Sequence, residues 1–525
     1  MKKLLLVILA LRLVTPLSAQ TAVFRIANGS EPESVDPHMI SSAASHRVYL
    51  ALFEGLMIPA EDGTPIPGAA ESYTRSADGL TWTFKMRKGA VWSDGVPVTA
   101  YDVAGSWLRC LSPRTAAAYP SIVMDLIKGA RAYNEGTGKA SDVAIKAVDK
   151  NTFQFTTTEP APYVPAMLIH YGFAIVPVHA IEKWGRDWVK PGNFVCNGPF
   201  TLKEWKLQER LVAVKNPKYW DARNVKLAQV VYYSSDDQAA AYEMFRNGEA
   251  DWDSNPPPAD RMEEAKKSPA YLRALAVGTY YYEFNIRKKP FSDLRVRKAF
   301  SMALDRQELV ERVTKGGEFP AYALTPPLAG RAPFMPPSGI GESEEEARKL
   351  MAEAGYPDGK GFPAVTLLYN AYAHHKAVAA WARQRWERIL GVKVEPVSQE
   401  FAEYLETRKD GAMGGFDIVR ASWVADYADP FAFLSMFRSG NAGFNDPRWV
   451  NTNYDELVRK ANSMNAGPER MKLFREAEDL LTGEAAHVIA PIYWHASVNV
   501  IDLKKWGGWV PNPLDQHALK FVHMK

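Results

Sequence analysis

The stretch from Ala364 to Ser398 constrains the fold more than any other. It reads AVTLLYN, then HKAVAAWARQRWERILG, then KVEPVS. A short apolar run, a helix-length amphipathic run and a second short apolar run form a β-α-β unit. Two such strands pair in parallel only with a crossover of about a dozen residues between them, which the helix supplies. Parallel pairing needs helices on the sheet faces, so the chain is of mixed α/β class.

The remaining segments agree. VFRIANG is a strand ending in a turn. In LTWTFKMRKG, Trp82, Phe84 and Met86 alternate with polar residues, the period of a half-buried strand. Thr99 and Asp102 form a capping box that opens a helix through Trp107. PFTLKEWKLQERLVAVK reads as a hairpin and DDQAAAYEMFRNGEAD as a helix closed by Gly248. A different region is expected to begin near Thr279, with strand TYYYEFNI and one continuous helix over DLRVRKAFSMALDRQELVERVTKG. Helix EEEARKLMAEAGY and a C-terminal strand HVIAPIYWHASVNVI complete the pattern, and no repeat period interrupts it.

The opening MKKLLLVILALRLVTPLSAQ has a basic start, an apolar middle and a small Ala19 before Gln20, the layout of a cleaved export signal. Residues 1–19 are therefore read as a leader, and the mature chain as periplasmic. Taking Lys2, Lys3 and Arg12 from the 63 basic residues leaves 60 against 60 acidic ones. That balance argues against nucleic acid, which is bound through excess Lys and Arg. About 505 residues remain, more than one core accommodates, so several domains are expected. Cys110 and Cys196 are too few for a disulfide framework.

No G-x-S-x-G, H-E-x-x-H, C-x-x-C or G-x-G-x-x-G occurs, and GYPDGKG is one residue too short for a phosphate loop. His374 and His375 are adjacent, so on a helix they diverge rather than share a metal. No cofactor or metal is expected. WVADYADP raises a sharper question. Asp426 and Asp429 lie among aromatics, where a carboxylate loses hydration and requires a cation or a proton. Asp429 precedes Pro430 and reads as a helix opener. Asp426 has no such local role. Three readings fit it: a partner for a ligand's cation, an internal salt bridge, or one half of a hydrolytic carboxyl pair with Asp429.

The block LTWTFKMRKGAVWSDGVPVTAYDV resembles the signature of the extracytoplasmic peptide-binding proteins of ABC importers, the peptide/nickel family 5 of solute-binding proteins. SEPESVDPH, YLALFEGL, GNFVCNGPFTLKEW, YYYEFN, FSDLRVRKAFSMALDR and ADYADP follow the same order as in the family's oligopeptide binders. The resemblance covers essentially the whole mature chain. It implies a periplasmic-binding-protein-like α/β fold (class II, cluster C) of two lobes plus an extra domain with mixed sheets. The segments would be domain I from 20–45, 170–278 and 495–525, domain II from 46–169 and domain III from 279–494. It implies a monomeric, non-catalytic receptor that holds short peptides extended, like an added strand, and delivers them to an inner-membrane permease. Relatives in the family that take dipeptides, murein peptides, nickel, haem or oligosaccharides supply the alternatives, and an extracytoplasmic chaperone role would use the same backbone recognition.

The resemblance also implies roles for single residues. Asp426 receives the peptide's α-ammonium. Arg420 receives the carboxylate of shorter peptides, Arg408 that of longer ones and His375 that of the longest, where imidazolium is populated. Trp423 and Phe401 match aromatic pocket positions, His170 and Glu283 polar pocket positions, and the backbone from Glu31 to Glu33 runs beside the ligand. The sequence departs from the family at Thr314, where a carboxylate-binding lysine is usual, and around GAMGG, where residues are inserted. It departs again at Gly278 and Val424, which stand where the family carries a disulfide. Cys110 and Cys196 fall in different segments and are expected to stay unpaired.

Overall fold

The computed structural model describes residues 22–525 apart from 330–331, 410–414 and 442. The expected leader, and the expected insertion around GAMGG except for Gly415, lie outside the described residues. No helix among the described residues is long and apolar enough to cross a membrane.

One mixed sheet runs through much of the molecule. At one end the β-α-β unit appears as read: Val365–Asn370 and Val394–Gln399 pair in parallel around helix Ala373–Leu390. Strand Ile418–Val424 lies beside Val365–Asn370 and joins the long strand Tyr271–Phe284, which pairs antiparallel with Ile489–Ile501. The sheet continues through Trp252–Asp253 and Val23–Ala27 to Gln229–Tyr233 and the expected hairpin Phe200–Lys206 and Arg210–Lys215. A separate four-stranded sheet, with Thr81–Met86 inside it, belongs to the stretch 70–156. There Trp82, Phe84 and Met86 are buried as their alternation requires, and Trp107 packs edge-on against Phe153 and Phe155. The capping box at Thr99 and Asp102 opens helix Ala100–Leu111.

Two readings need correction. The strand expected near Thr279 starts at Tyr271, because Tyr271–Leu275 find partners in the distant stretch Ala496–Val500. The helix expected to run continuously from 293 stops at Met302. Asp305 accepts from Glu308 N at 2.9 Å and caps a new turn, while buried Arg306 donates to Ser301 Oγ and Pro491 O. A side-chain cap inside an amphipathic run breaks it without disturbing the apolar period.

The expected segment boundaries after 278 and 494 fall inside the two long strands. Their register shifts between Leu275 and Thr279, and Thr279 faces Trp494. At this irregularity Val277 N donates to Pro513 O, and Ala425 N donates to Val277 O. Gly278 sits directly opposite Val424. A Cβ at Gly278 would lie 2.7 Å from the His495 ring, so the glycine makes room for that imidazole.

Candidate functional site

Strand Ile418–Val424 carries Arg420 and delivers the chain into the turn that holds Asp426. That turn is pinned on both sides of Asp426. Ala425 is tied to the long strand, and the Tyr427 ring stacks on Tyr163 at 4.7 Å. Asp429 accepts both guanidinium nitrogens of Arg470, at 2.6 and 2.8 Å, and Phe431 N at 3.0 Å. A side chain on so constrained a turn has little freedom to move away from what it faces.

Asp426 itself is half-buried. Among the described residues its partners are Tyr119 OH, donating at 3.2 Å, and His170 Nε2 at 3.9 Å. Burial pushes the Asp426 carboxyl up, against the Tyr119 hydrogen bond. Burial holds His170 well below its ordinary range, so it stays neutral. Among the described residues no Lys or Arg pairs with Asp426. The hydrolytic pair does not hold. Asp429 is occupied by Arg470 and by a helix start, so it cannot activate water beside Asp426.

Asp426 opens onto a cavity of about 590 Å³. One wall comes from 119–167, with Tyr119, Tyr163 and Met167. The other comes from 423–444, with Trp423, Phe431 and Phe444. Trp423 packs edge-on against Phe444 at 5.2 Å, and its buried indole N–H has no hydrogen-bond partner. The lining also carries Asp125, Glu159 and Arg438, so the cavity combines aromatic surface with convergent polar groups, as ligand sites do.

Arg420 lies three residues before Trp423 on the same strand, outside the residues that line this cavity. Its guanidinium lies over the Tyr280 ring at 4.8 Å, and Nη1 donates to Asn370 Oδ1 at 3.1 Å. Nε is buried without a partner, and no carboxylate pairs with Arg420 among the described residues. Six residues of extended chain span at most about 20 Å, so Arg420 and Asp426 stand within the reach of one short peptide.

The other expected residues are placed differently. Arg408 is engaged: Nε meets Asp446 Oδ2 at 2.5 Å, Nη2 meets Glu283 Oε1 at 3.5 Å and Nη1 donates to Tyr404 OH. Burial works against its charge, but Glu283, Tyr404 and Asp446 outweigh burial and hold it firmly protonated. Glu283 is fully buried, and burial with the nearby Asp446 drives its carboxyl well above the usual range. Arg408 and Glu283 are thus internal partners in this arrangement. Phe401 is exposed and stacks on Tyr404. Glu31 accepts from Trp205 Nε1 at 2.7 Å and Gln208 N, binding the hairpin to the first strand's exit loop. Thr314 donates to Glu318. His375 is buried, and the part-buried His374 shares a hydrogen bond with Tyr493 OH at 2.7 Å. Burial, then Arg420, push His375 down to about 3, which removes the imidazolium expected of it in the free protein. Cys110 and Cys196 are both buried thiols.

Sequence reasoning missed Tyr119, Asn370 and Tyr280. Each reaches the site through tertiary pairing, and none carries a local motif.

The family model for bacterial extracellular solute-binding proteins, family 5, matches residues 64–445. The periplasmic oligopeptide-binding protein OppA of Escherichia coli is 38% identical over 93% of this chain and 90% of its own. An unliganded open form of the murein tripeptide binding protein MppA overlays with a TM-score of 0.86 at 33% identity, covering 96% of this chain and 97% of that one. Haemophilus influenzae OppA in complex with RPPGFSPFR overlays at 0.71 and 30% identity, covering 96% and 99%.

Proposed function

The chain belongs to the family 5 bacterial extracellular solute-binding proteins, and from that membership we propose that it is the peptide-capturing component of an ABC importer. Members of this family bind solutes and do not catalyse. The ligand is a short oligopeptide held extended in the cleft, its α-ammonium on Asp426 and its carboxylate on Arg420. The observation that carries this reading is the pair itself. A carboxylate and a guanidinium, each lacking an opposite charge among the described residues, lie in one strand and the turn that follows it. A zwitterion satisfies both at once, whereas a sugar, a metal ion or haem leaves one of them unpaired. The cleft closes between 46–169 and 279–494, with 20–45, 170–278 and 495–525 as the supporting domain. The mature protein works in the periplasm as a monomer and hands its cargo to an inner-membrane permease. A better overlay on an open relative than on a peptide complex suits a cleft ready to receive ligand.

Arg420→Ala should weaken tri-alanine by about 1.5–3 kcal/mol, the worth of a hydrogen bond to a charged group. Longer alanine peptides, whose carboxylates reach past Arg420, should lose less. Calorimetry with peptides of two to six residues, free and C-amidated, tests this. An equal loss at every length, or no penalty for amidation on the wild type, would remove Arg420 as the carboxylate's partner.

A further inference from the structure

Arg420 does not stand alone at its end of the cleft. The Tyr280 ring beneath it lies 5.6 Å from the His375 ring and 4.8 Å from Tyr493. Tyr493 meets His374 by a hydrogen bond and His495 ring to ring at 5.5 Å. His495 in turn bonds Ser422 Oγ at 2.9 Å, two residues along the strand from Arg420. Three imidazoles from two separate elements therefore gather about Tyr280, Tyr493 and Ser422, beside one guanidinium that has no counter-ion among the described residues. His495 owes its place to the missing side chain at Gly278. His375 Nδ1 is buried and unpartnered.

We propose that this end of the cleft is an anion site for two charges, taking peptides whose last residue carries a second carboxylate together with one proton from solvent. The proposal rests on the peptide reading above and deepens it. A single α-carboxylate neutralises Arg420. A second carboxylate then meets neutral imidazoles no longer repelled by an uncompensated cation, and His375 Nδ1 is the vacant nitrogen that takes the proton. In the free protein burial first and Arg420 second hold His375 down to about 3 and His495 to about 4. Burial also lowers His374, although Glu318 acts the other way. The other groups facing the cluster are Tyr372, whose ring lies 5.2 Å from that of His375, Tyr369, and Tyr280 and Tyr282, whose phenols burial pushes up and keeps neutral. Glu318 is already bonded by Thr314 and Gly316 N. A new anion at about 4 Å moves an imidazole by several pK units in surroundings of intermediate polarity, enough to bring it into the range near pH 6.

The test compares Ala-Ala-Glu with tri-alanine by calorimetry between pH 5.5 and 7.5. Both peptides share the same α-ammonium, and their carboxylates stay ionised throughout, so those titrations cancel in the ratio of affinities. The ratio should shift toward Ala-Ala-Glu by about fourfold on acidification, as one proton is taken up by a group brought to near 6 in the complex. Heats in two buffers of different ionisation enthalpy should show that proton for Ala-Ala-Glu and not for tri-alanine. His375→Gln and His495→Gln should each flatten the ratio. A ratio independent of pH, or no differential proton uptake, would overturn the proposal while leaving the peptide reading in place. Failure of both peptides to bind would overturn the peptide reading and this proposal with it.

Discussion

Asp426→Asn is expected to reduce affinity for tri-alanine by about 2–5 kcal/mol, a loss of some thirtyfold to several thousandfold. The cause is the desolvated ammonium left without an ionic partner. The amide is isosteric, Tyr119 still has an oxygen to donate to, and the pinned turn around it is undisturbed. N-acetyl tri-alanine should bind the wild type as poorly as tri-alanine binds the variant, and acetylation should cost the variant almost nothing further. Because burial raises the Asp426 carboxyl in the free protein, the acid protonates earlier than an ordinary aspartate as pH falls. The ammonium needs the ionised form, so tri-alanine affinity should decline toward acid, and the Asn variant should lose that slope. Calorimetry over a pH series decides. An unchanged affinity for free peptide in the variant would end the assignment.

Arg470→Met is the second large effect, and it falls on stability. Arg470 is 1% exposed, and its guanidinium grips both oxygens of Asp429 while Nε donates to Ala461 O. Removing it leaves a buried carboxylate uncompensated, at a cost of about 3–5 kcal/mol. For a cooperative unit of about 150–250 residues that corresponds to a fall in melting temperature of about 6–20 °C. Adding Asp429→Asn should recover most of the loss, since the amide keeps the bond from Phe431 N and carries no charge. Scanning calorimetry of the single and double variants checks both statements. A single variant as stable as the wild type would show that the pair contributes nothing.

The parts of this molecule that were legible in its sequence share a property: their signal is local. The β-α-β unit, the strand through Trp82 and Phe84, and the cap at Asp102 are each written within about thirty residues. Asp426 stood out for a related reason, being an acid among aromatics with no turn to form. Asp429 showed half of its role, because the following proline marks a helix start, whereas Arg470 lies forty-one residues on without a pattern to link them. Arg408 was visible as a cation, but the two acids that hold it, Glu283 and Asp446, stand on distant elements. The break at Asp305 was missed because the apolar period continues through it. Tyr119 could not have been found, since it meets Asp426 across 307 residues.

The long paired strands carry a consequence for rates. On the closing reading, motion passes through the register shift beside Gly278, where Val277 N is held by Pro513 O and Ala425 N by Val277 O. A two-stranded ribbon twists where its ladder is irregular more readily than where it is continuous. The exchange of those two amides with solvent therefore counts how often the cleft opens, and ligand residence time is governed by the same event. Saturating tri-alanine should slow exchange at Val277 and Ala425 in proportion to the lengthened residence of the peptide. Exchange there that ignores the ligand would place the pivot elsewhere in the chain.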